Sequence, residues 1–314
     1  MKRIIFLILM SHTFFMFTQD IHFSQIFGDN IIINPAKIGS SNNDYRFCIQ
    51  RKSQWKSIGA PYTSFSSTYE SKNLLNRLNV GIQFLSDKSG DGQLQQHIVN
   101  LGLSKNYKFH DKDDFSLGLL FGLGQLSIDY SNLIFETPEN FMNSNFLYPD
   151  LSAGFHYSIL LSNSIKSGFG CAVYHITKPK YSLYNDKNVF LNRKNNFYFD
   201  LSQDYNDDLK IIYKALYSKQ GNTQELLLGI HPNIDLEEII INPMLFYRLK
   251  DAYVFGIGFK TNHINFNISY DINISDLNIA STSRGGFEFS IVYLWNKKYN
   301  HKKYNIDPKC PNFI

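Results

Sequence analysis

From Ile264 to Asp271 the chain alternates strictly, with Ile264, Phe266, Ile268 and Tyr270 interleaved with Asn265, Asn267, Ser269 and Asp271. A period of two puts the apolar side chains on one face of an extended strand and the polar ones on the other, which a helix of period 3.6 cannot do. The rhythm recurs. Phe115, Leu117, Leu119, Phe121 and Leu123 alternate with Ser116, Gly118, Leu120, Gly122 and Gly124, and Tyr253, Phe255, Ile257 and Phe259 with Gly256, Gly258 and Lys260. Near the C-terminus Phe287, Phe289, Ile291, Tyr293 and Trp295 alternate with Glu288, Ser290, Val292 and Leu294. In a soluble sandwich the second face would carry Lys and Glu toward water. Here it is mostly Gly, Ser and Asn, which suits the lumen of a membrane barrel.

Such runs number about fourteen: 44–54, 62–71, 78–87, 94–107, 114–128, 151–159, 165–176, 197–203, 208–217, 224–232, 238–247, 252–260, 264–271 and 286–295. The eighth is the weakest. The pattern predicts an all-β fold, a transmembrane antiparallel β-barrel of the outer-membrane type. The long connections 129–150, 177–196 and 272–285 are all odd-numbered, and the even-numbered ones are short. Outer-membrane barrels have short periplasmic turns and longer surface loops, so this parity predicts that both termini lie in the periplasm. With a solvated lumen, an Arg at Asn267 is expected to be tolerated far better than one at Phe266 or Ile268.

The N-terminus reads as an export signal, with Met1-Lys2-Arg3 as basic region, Ile4 to Met10 extended by Phe14 to Phe17 as apolar region, and polar residues from Thr18. Phe17-Thr18 departs from the usual small-residue cleavage site, so an uncleaved anchor is the alternative. No Cys follows, which argues against a lipoprotein. The predicted organisation is a signal peptide over 1–18, a periplasmic N-terminal segment or plug over 19–43, the barrel over 44–295 and a basic periplasmic tail over 296–314.

Composition narrows the classes further. Charged residues are 18% and aromatics 16% of the 314 residues, with 27 Phe and 20 Tyr, which excludes disordered and collagen-like chains. Beyond the N-terminus no apolar run is long enough for a membrane helix. The formal charge of +4 sits at the chain ends, leaving no footprint for nucleic acid. Cys48, Cys171 and Cys310 lack the spacing of a zinc site or a disulfide framework.

Candidate chemistry is sparse. His97, His156, His175, His231 and His263 fall on or beside separate predicted strands without metal-ligand spacing, and Gly118, Gly122 and Gly124 lie within a strand rather than in a phosphate loop. No catalytic, cofactor or metal residue is assigned, and the reading is not an enzyme. Convergence of Ser, His and acidic groups at a barrel rim leaves no spacing signature, so it stays as the minor reading. Trp55, Tyr62 and Tyr69 read as an interfacial girdle in preference to a glycan platform. After the last strand come Lys297, Lys298, Lys302, Lys303 and Lys309 against Asp307 alone, ending in Cys310-Pro311-Asn312-Phe313. Those five lysines and Phe313 are the candidate partner-binding residues; a merely solvated end is the alternative.

Several segments resemble the PorP/SprF family of type IX secretion system outer-membrane proteins. They are Phe23-Ser24-Gln25, Asn34-Pro35-Ala36 and Gly39 near the start, then Lys52-Ser53-Gln54-Trp55 with Gly59-Ala60-Pro61, where Lys52 stands in place of the usual Arg. Tyr270-Asp271-Ile272-Asn273, Ser283-Arg284-Gly285-Gly286-Phe287-Glu288 and the Cys-Pro-x-Phe ending complete the similarity. The resemblance implies a non-enzymatic component of the secretion and gliding machinery, set in outer-membrane lipid. It would work with periplasmic secretion-system components and support secretion or surface attachment of a client such as a large adhesin. From the residues alone, a general porin or ligand-specific channel remains the alternative. A pore lumen should carry opposing charged rows, whereas the predicted lumen faces show Gly, Ser and Asn with scattered Lys210 and Lys214, which favours the accessory role.

Overall fold

The computed structural model describes residues 20–54, 61–75, 77–90, 94–110, 112–129, 145–183, 186, 188–275 and 284–297. Fourteen strands form a closed barrel: β1 (Tyr45–Gln54), β2 (Tyr62–Leu75), β3 (Leu78–Ser89), β4 (Leu94–His110), β5 (Asp113–Ser127), β6 (Asn145–Ser162), β7 (Ile165–Tyr174), β8 (Lys194–Asp204), β9 (Leu209–Gln220), β10 (Thr223–Leu236), β11 (Ile239–Arg248), β12 (Ala252–Lys260), β13 (Ile264–Asn273) and β14 (Arg284–Trp295). Each pairs antiparallel with its sequence neighbour, and β1 closes on β14 in register from Tyr45 opposite Trp295 to Gln54 opposite Gly286. Closure matters because an open edge in lipid would leave backbone groups unpaired.

The period-2 pattern is realised as two different surroundings. On β13, Ile264, Phe266, Tyr270 and Ile272 are exposed on the outer wall, while Asn267, Ser269, Asp271 and Asn273 are buried inside. On β5, Leu117, Leu119, Phe121 and Leu123 face outward, each about half exposed (46–53%) where lipid would cover them. At the end where β1 begins and β14 finishes, here the proximal end, Trp295 packs against Tyr45 and Tyr293 at ring distances of 5.3 and 5.2 Å, and Tyr69 joins this belt. The strand ends that flank 76–77, 111–112, 163–164, 205–208, 237–238 and 261–263 share the proximal end; those that flank the longer 128–144, 175–193 and 274–283 lie at the distal end.

Several elements exceed their predicted lengths, β6 the most, and β6 and β8 do so at their start. β8 runs over Lys194–Asp204, its pattern masked in the sequence by the polar Lys194-Asn195-Asn196 start. β6 begins at Asn145 and takes in residues expected to lie in the 129–150 loop. The reason is aromatic packing beyond the wall: Tyr181, from the connection after β7, meets Tyr148 at 5.5 Å and Phe146 at 5.7 Å, and Leu126 and Leu191 complete this cluster.

The segment from Asp20 to Asn43 lies inside the barrel. A short helix α1 (Asn30–Ile33) starts at Asp29, whose carboxylate accepts the Ile31 N–H at 2.9 Å. A 3-10 turn (Pro35–Lys37) follows, started by Asn34, whose side chain accepts the Ala36 N–H at 2.8 Å. An Asx cap and a proline at the first helical position are ordinary ways to begin a turn. Ile31, Ala36 and Ile38 are fully buried against the inner wall. Lumen glycines make room for this chain: a methyl group at Gly118 would strike the backbone of Pro35 and Ala36, and one at Gly154 the side chain of Asn34.

This threading places the start of the described chain. Asp20 sits at the distal end, bonded to Gln220 and His175, whereas Lys297 sits at the proximal end beside Asp44. The first and last described residues therefore lie at opposite ends of the barrel. Counting strands locates where β1 begins but not the path of the chain before it.

Candidate functional site: a peptide held in the lumen

The inner wall grips the segment chiefly through its backbone. Glu288 on β14 accepts the N–H groups of Ser24 and Gln25 at 2.8 and 2.9 Å, and Gln50 on β1 donates both to the Gln25 carbonyl at 3.1 Å and to Glu288 at 2.7 Å. Glu70 on β2 accepts the Gly39 N–H at 2.9 Å and is paired with Arg46 at 2.7 Å, while Arg46 also donates to the Gly28 carbonyl. Asn196 on β8 donates to the Ile32 and Ile33 carbonyls, Tyr174 on β7 to Ile31 at 2.5 Å, and Ser104 on β4 to Ile38 at 2.7 Å. Asp29 is satisfied by Ser66, Thr68 and Gln83 from β2 and β3. Buried backbone groups need such partners, and here strands from around the barrel supply them.

An ionic cluster lies beneath Ser24. Lys52 Nζ is 3.0 Å from Asp271 and 3.9 Å from Glu288, and donates to Ser24 Oγ at 2.9 Å; Arg248 reaches Asp271 at 3.2 Å and Ser24 Oγ at 2.6 Å. Lys52, Asp271 and Glu288 are at most 1% exposed. Charges so buried persist only when paired and hydrogen-bonded. The lumen face is thus not the nearly uncharged one expected from sequence: Arg46, Lys52, Glu70, Arg248, Asp271 and Glu288 all point inward. Lys210 lies instead at the proximal rim, paired with Asp204.

At the distal mouth His175 bridges Asp20 and Asp150, its Nε2 2.7 Å from Asp20 and its Nδ1 2.8 Å from Asp150. Burial alone would lower the His175 pKa, but the Asp20 charge and the bonds to both carboxylates outweigh it and push the pKa up to about 10. Burial likewise opposes the charge on Asp20. The His175 imidazolium, Lys194 and a bond from Gln220 overcome it and hold the carboxyl well below its ordinary range. Above this clasp opens a cavity of about 310 Å³ lined by Asp20, Phe23, Lys194, Gln220, Glu225 and Arg248. Below it, the segment and the side chains around it fill the mid-lumen.

Of the candidate partner-binding residues, Lys297 is placed on the proximal aromatic belt, 5.8 Å above the Tyr45 ring, with its backbone N–H donated to Asp44 at 2.9 Å. Lys298, Lys302, Lys303, Lys309 and Phe313 lie outside the described residues, as do residues 1–19 and Trp55. Among the described residues no group of three or more His, Cys, Asp or Glu side chains is placed to hold a metal. What sequence reading missed is the grip on the segment. Its signal was present as charged residues at inward positions of alternating strands, notably Glu70 and Glu288.

A closed barrel with an apolar outer wall and an occupied polar lumen is an outer-membrane protein in architecture, and comparison with solved structures agrees. The chain is similar to the Pseudomonas putida toluene transporter TodX at 9% identity over 90% of this chain and 99% of that one, with a TM-score of 0.55. It is also similar to a Pseudomonas aeruginosa FadL homologue at 10% identity over 84% and 93%, with a TM-score of 0.50. At such identities the likeness concerns the fold. Residues 15–293 match the family described as type IX secretion system membrane protein PorP/SprF, and the chain belongs to that family. Among curated protein sequences none matches the chain. The segments that carried the resemblance meet in space: Ser24 and Gln25 contact Lys52, Asp271 and Glu288.

Proposed function

We propose that this barrel is a non-enzymatic component of the type IX secretion and gliding machinery. It would support secretion or surface attachment of a client such as a large adhesin while docking periplasmic components at its proximal end. Family membership supports the role in secretion, and the observation that carries the accessory reading is the occupied lumen. A diffusion pore needs a continuous wet path. Here the mid-lumen is taken up by residues 20–43, gripped by buried side chains such as Glu70 and Glu288. TodX is described as a transporter, but a channel role for this chain would first require that segment to leave.

In this reading the proximal end faces the periplasm, which puts the short turns and the basic tail within reach of periplasmic partners. The tail carries charge that salt screens and an apolar Phe313 end that salt does not affect. The test is affinity purification from native outer membranes of the full chain and of a chain ended after Tyr299. Both should give a heat-modifiable barrel, because the closing strand is intact. The shortened chain should lose its periplasmic partner and reduce secretion or surface display of the client. Equal recovery of partner and equal display in both would overturn the docking role of Lys302, Lys303, Lys309 and Phe313, and the same comparison with Lys297→Ala/Lys298→Ala tests the two lysines that the shortened chain retains.

A further inference from the structure

Besides the register shifts near strand ends, the hydrogen-bond ladder of the described wall is interrupted in the middle of one strand pair, with no change of register. Between β10 and β11, Ile230 pairs with Leu245 and Ile234 with Ile241, but no pairing joins 231–233 to 242–244. The register is the same on both sides of this gap, so Pro232 stands directly opposite Pro243. Neither has an N–H. In an antiparallel ladder, alternate opposed pairs exchange both of their bonds, and the gap between two intact pairs marks Pro232 and Pro243 as such a pair. Their other sides are continuous, Pro232 opposite Ile211 and Pro243 opposite Ile257. Proline is normally confined to sheet edges or bulges, and in a lipid-facing wall each unpaired carbonyl is costly. Two prolines facing each other inside a closed wall therefore make a seam. The bond from Asn242 Nδ2 to Asn233 Oδ1 bridges it on the lumen side.

The lining behind the seam is as unusual as the seam. Around most of the barrel the inner face is polar, but here Met244 and Phe246 join Leu216, Leu227 and Val254 in an apolar cluster, with Phe27 of the lumen segment packed against it. The Phe27 ring lies 5.3 Å from the His231 ring and 6.2 Å from Phe246, directly inside the gap. Outside it, Ile234 and Leu245 are exposed toward lipid. His231 Nε2 and Asn242 Oδ1, on residues 8% and 6% exposed, have no hydrogen-bond partner among the described residues. The outer face is thus apolar where the ladder is broken, and on the inner face a narrow polar lip of His231, Asn233 and Asn242, with polar atoms left incomplete, borders the apolar cluster of Met244 and Phe246.

We propose that the β10–β11 seam is a lateral binding site for the acyl chain of a membrane lipid, which passes between Pro232 and Pro243 and displaces Phe27 from the apolar cluster. An acyl chain is the fitting guest because the seam opens onto the lipid-covered wall and the cluster behind it asks for no hydrogen bonds. Entering there, it trades one apolar surrounding for another, so the motion is opposed by packing rather than by desolvation.

The test uses the full chain refolded into phosphatidylethanolamine liposomes containing a phosphatidylethanolamine with a diazirine near the end of one acyl chain. After illumination, cross-links should map to Met244, Phe246 or Phe27 as well as to the outward Ile234 and Leu245. In a Pro232→Val/Pro243→Val double variant, two ladder bonds are restored and inner-side labelling should fall about tenfold, with outward labelling unchanged. Labelling confined to the outward residues of the natural chain, or inner-side labelling unaffected by the double variant, overturns the proposal. Should the double variant give no heat-modifiable barrel, Phe27→Trp serves instead. A larger ring behind the gap should lower inner-side labelling to the same degree, and no change would overturn the proposal equally.

Discussion

Ser24 donates its backbone N–H to Glu288 at 2.8 Å, joining residues 264 positions apart, one in the lumen segment and one on the last strand. Gln25 donates to the same carboxylate. Glu288→Ala would leave both buried donors without an acceptor, at about 1–3 kcal/mol each. The expected result is a lower unfolding temperature on the heat-modifiability gel and earlier protease cleavage within 20–43. Glu288→Gln keeps an acceptor oxygen and should fall between this variant and the natural chain.

Lys52 holds two acids at once. Removing it in Lys52→Met leaves Asp271 and Glu288 together in the interior with Arg248 as the remaining cation, and breaking a buried pair from one side costs about 3–5 kcal/mol. Lys52→Arg keeps the charge and adds donors suited to carboxylates, so it should assemble at near-natural yield. Urea unfolding of the two variants in detergent would rank them, and equal midpoints would show that the cluster adds nothing to stability.

An Arg at Phe266 faces lipid and should cost roughly 2–4 kcal/mol near the bilayer midplane. The sequence expectation of easy tolerance at Asn267 does not survive the structure. Asn267 is 1% exposed, donates to Ser290 at 3.1 Å and abuts Gly258, so an Arg there overpacks a filled interior by about 1–3 kcal/mol or more. Assembly yields in liposomes should be reduced for both; a fully tolerated Asn267→Arg would mean the lumen is wetter than this packing allows.

The contrast shows what was legible. Phe266 and Asn267 could be assigned to opposite faces because a strand's period is two, and the same rule located β13 and most other strands within a few residues. The surroundings of the inner face could not be read that way. Alternation tells lipid from not-lipid, but a water-filled lumen and one filled by polar peptide both select Asn, Ser and Gly. Gly118 illustrates the ambiguity: its smallness looked like a lumen preference and is a close approach of Pro35 and Ala36. Tyr148 was lost to a loop because the partner that orders it, Tyr181, arrives from another connection.

The distal clasp gives a pH dependence. Since the His175 pKa is raised from 6.5 to about 10, its stabilising share is complete below 6.5 and is lost as pH rises through about 10. Asp20 is lowered from 3.8, so its share is complete above 3.8 and is lost as pH falls through the lowered value. The end of the segment should be held best between about pH 4 and 6.5 and should loosen toward alkaline pH. Hydrogen exchange at residues 20–23, corrected for the intrinsic rate, should climb from about pH 6.5 and level off near pH 10 in the natural chain. In His175→Gln it should be raised at every pH, with the alkaline step gone.

Glu288 sits on the last strand and grips residues near the start of the lumen segment, so the closing seam of the barrel and the seat of the peptide share a side chain. β1 follows the lumen segment directly, and its closing partner is β14, the strand that carries Glu288. Zipping β1 to β14 and seating the peptide are therefore one event in space, joined at Gln50. A molecule with a damaged lumen segment would therefore carry its unpaired buried groups, Gln50 and Glu288 among them, at the very seam where the wall closes.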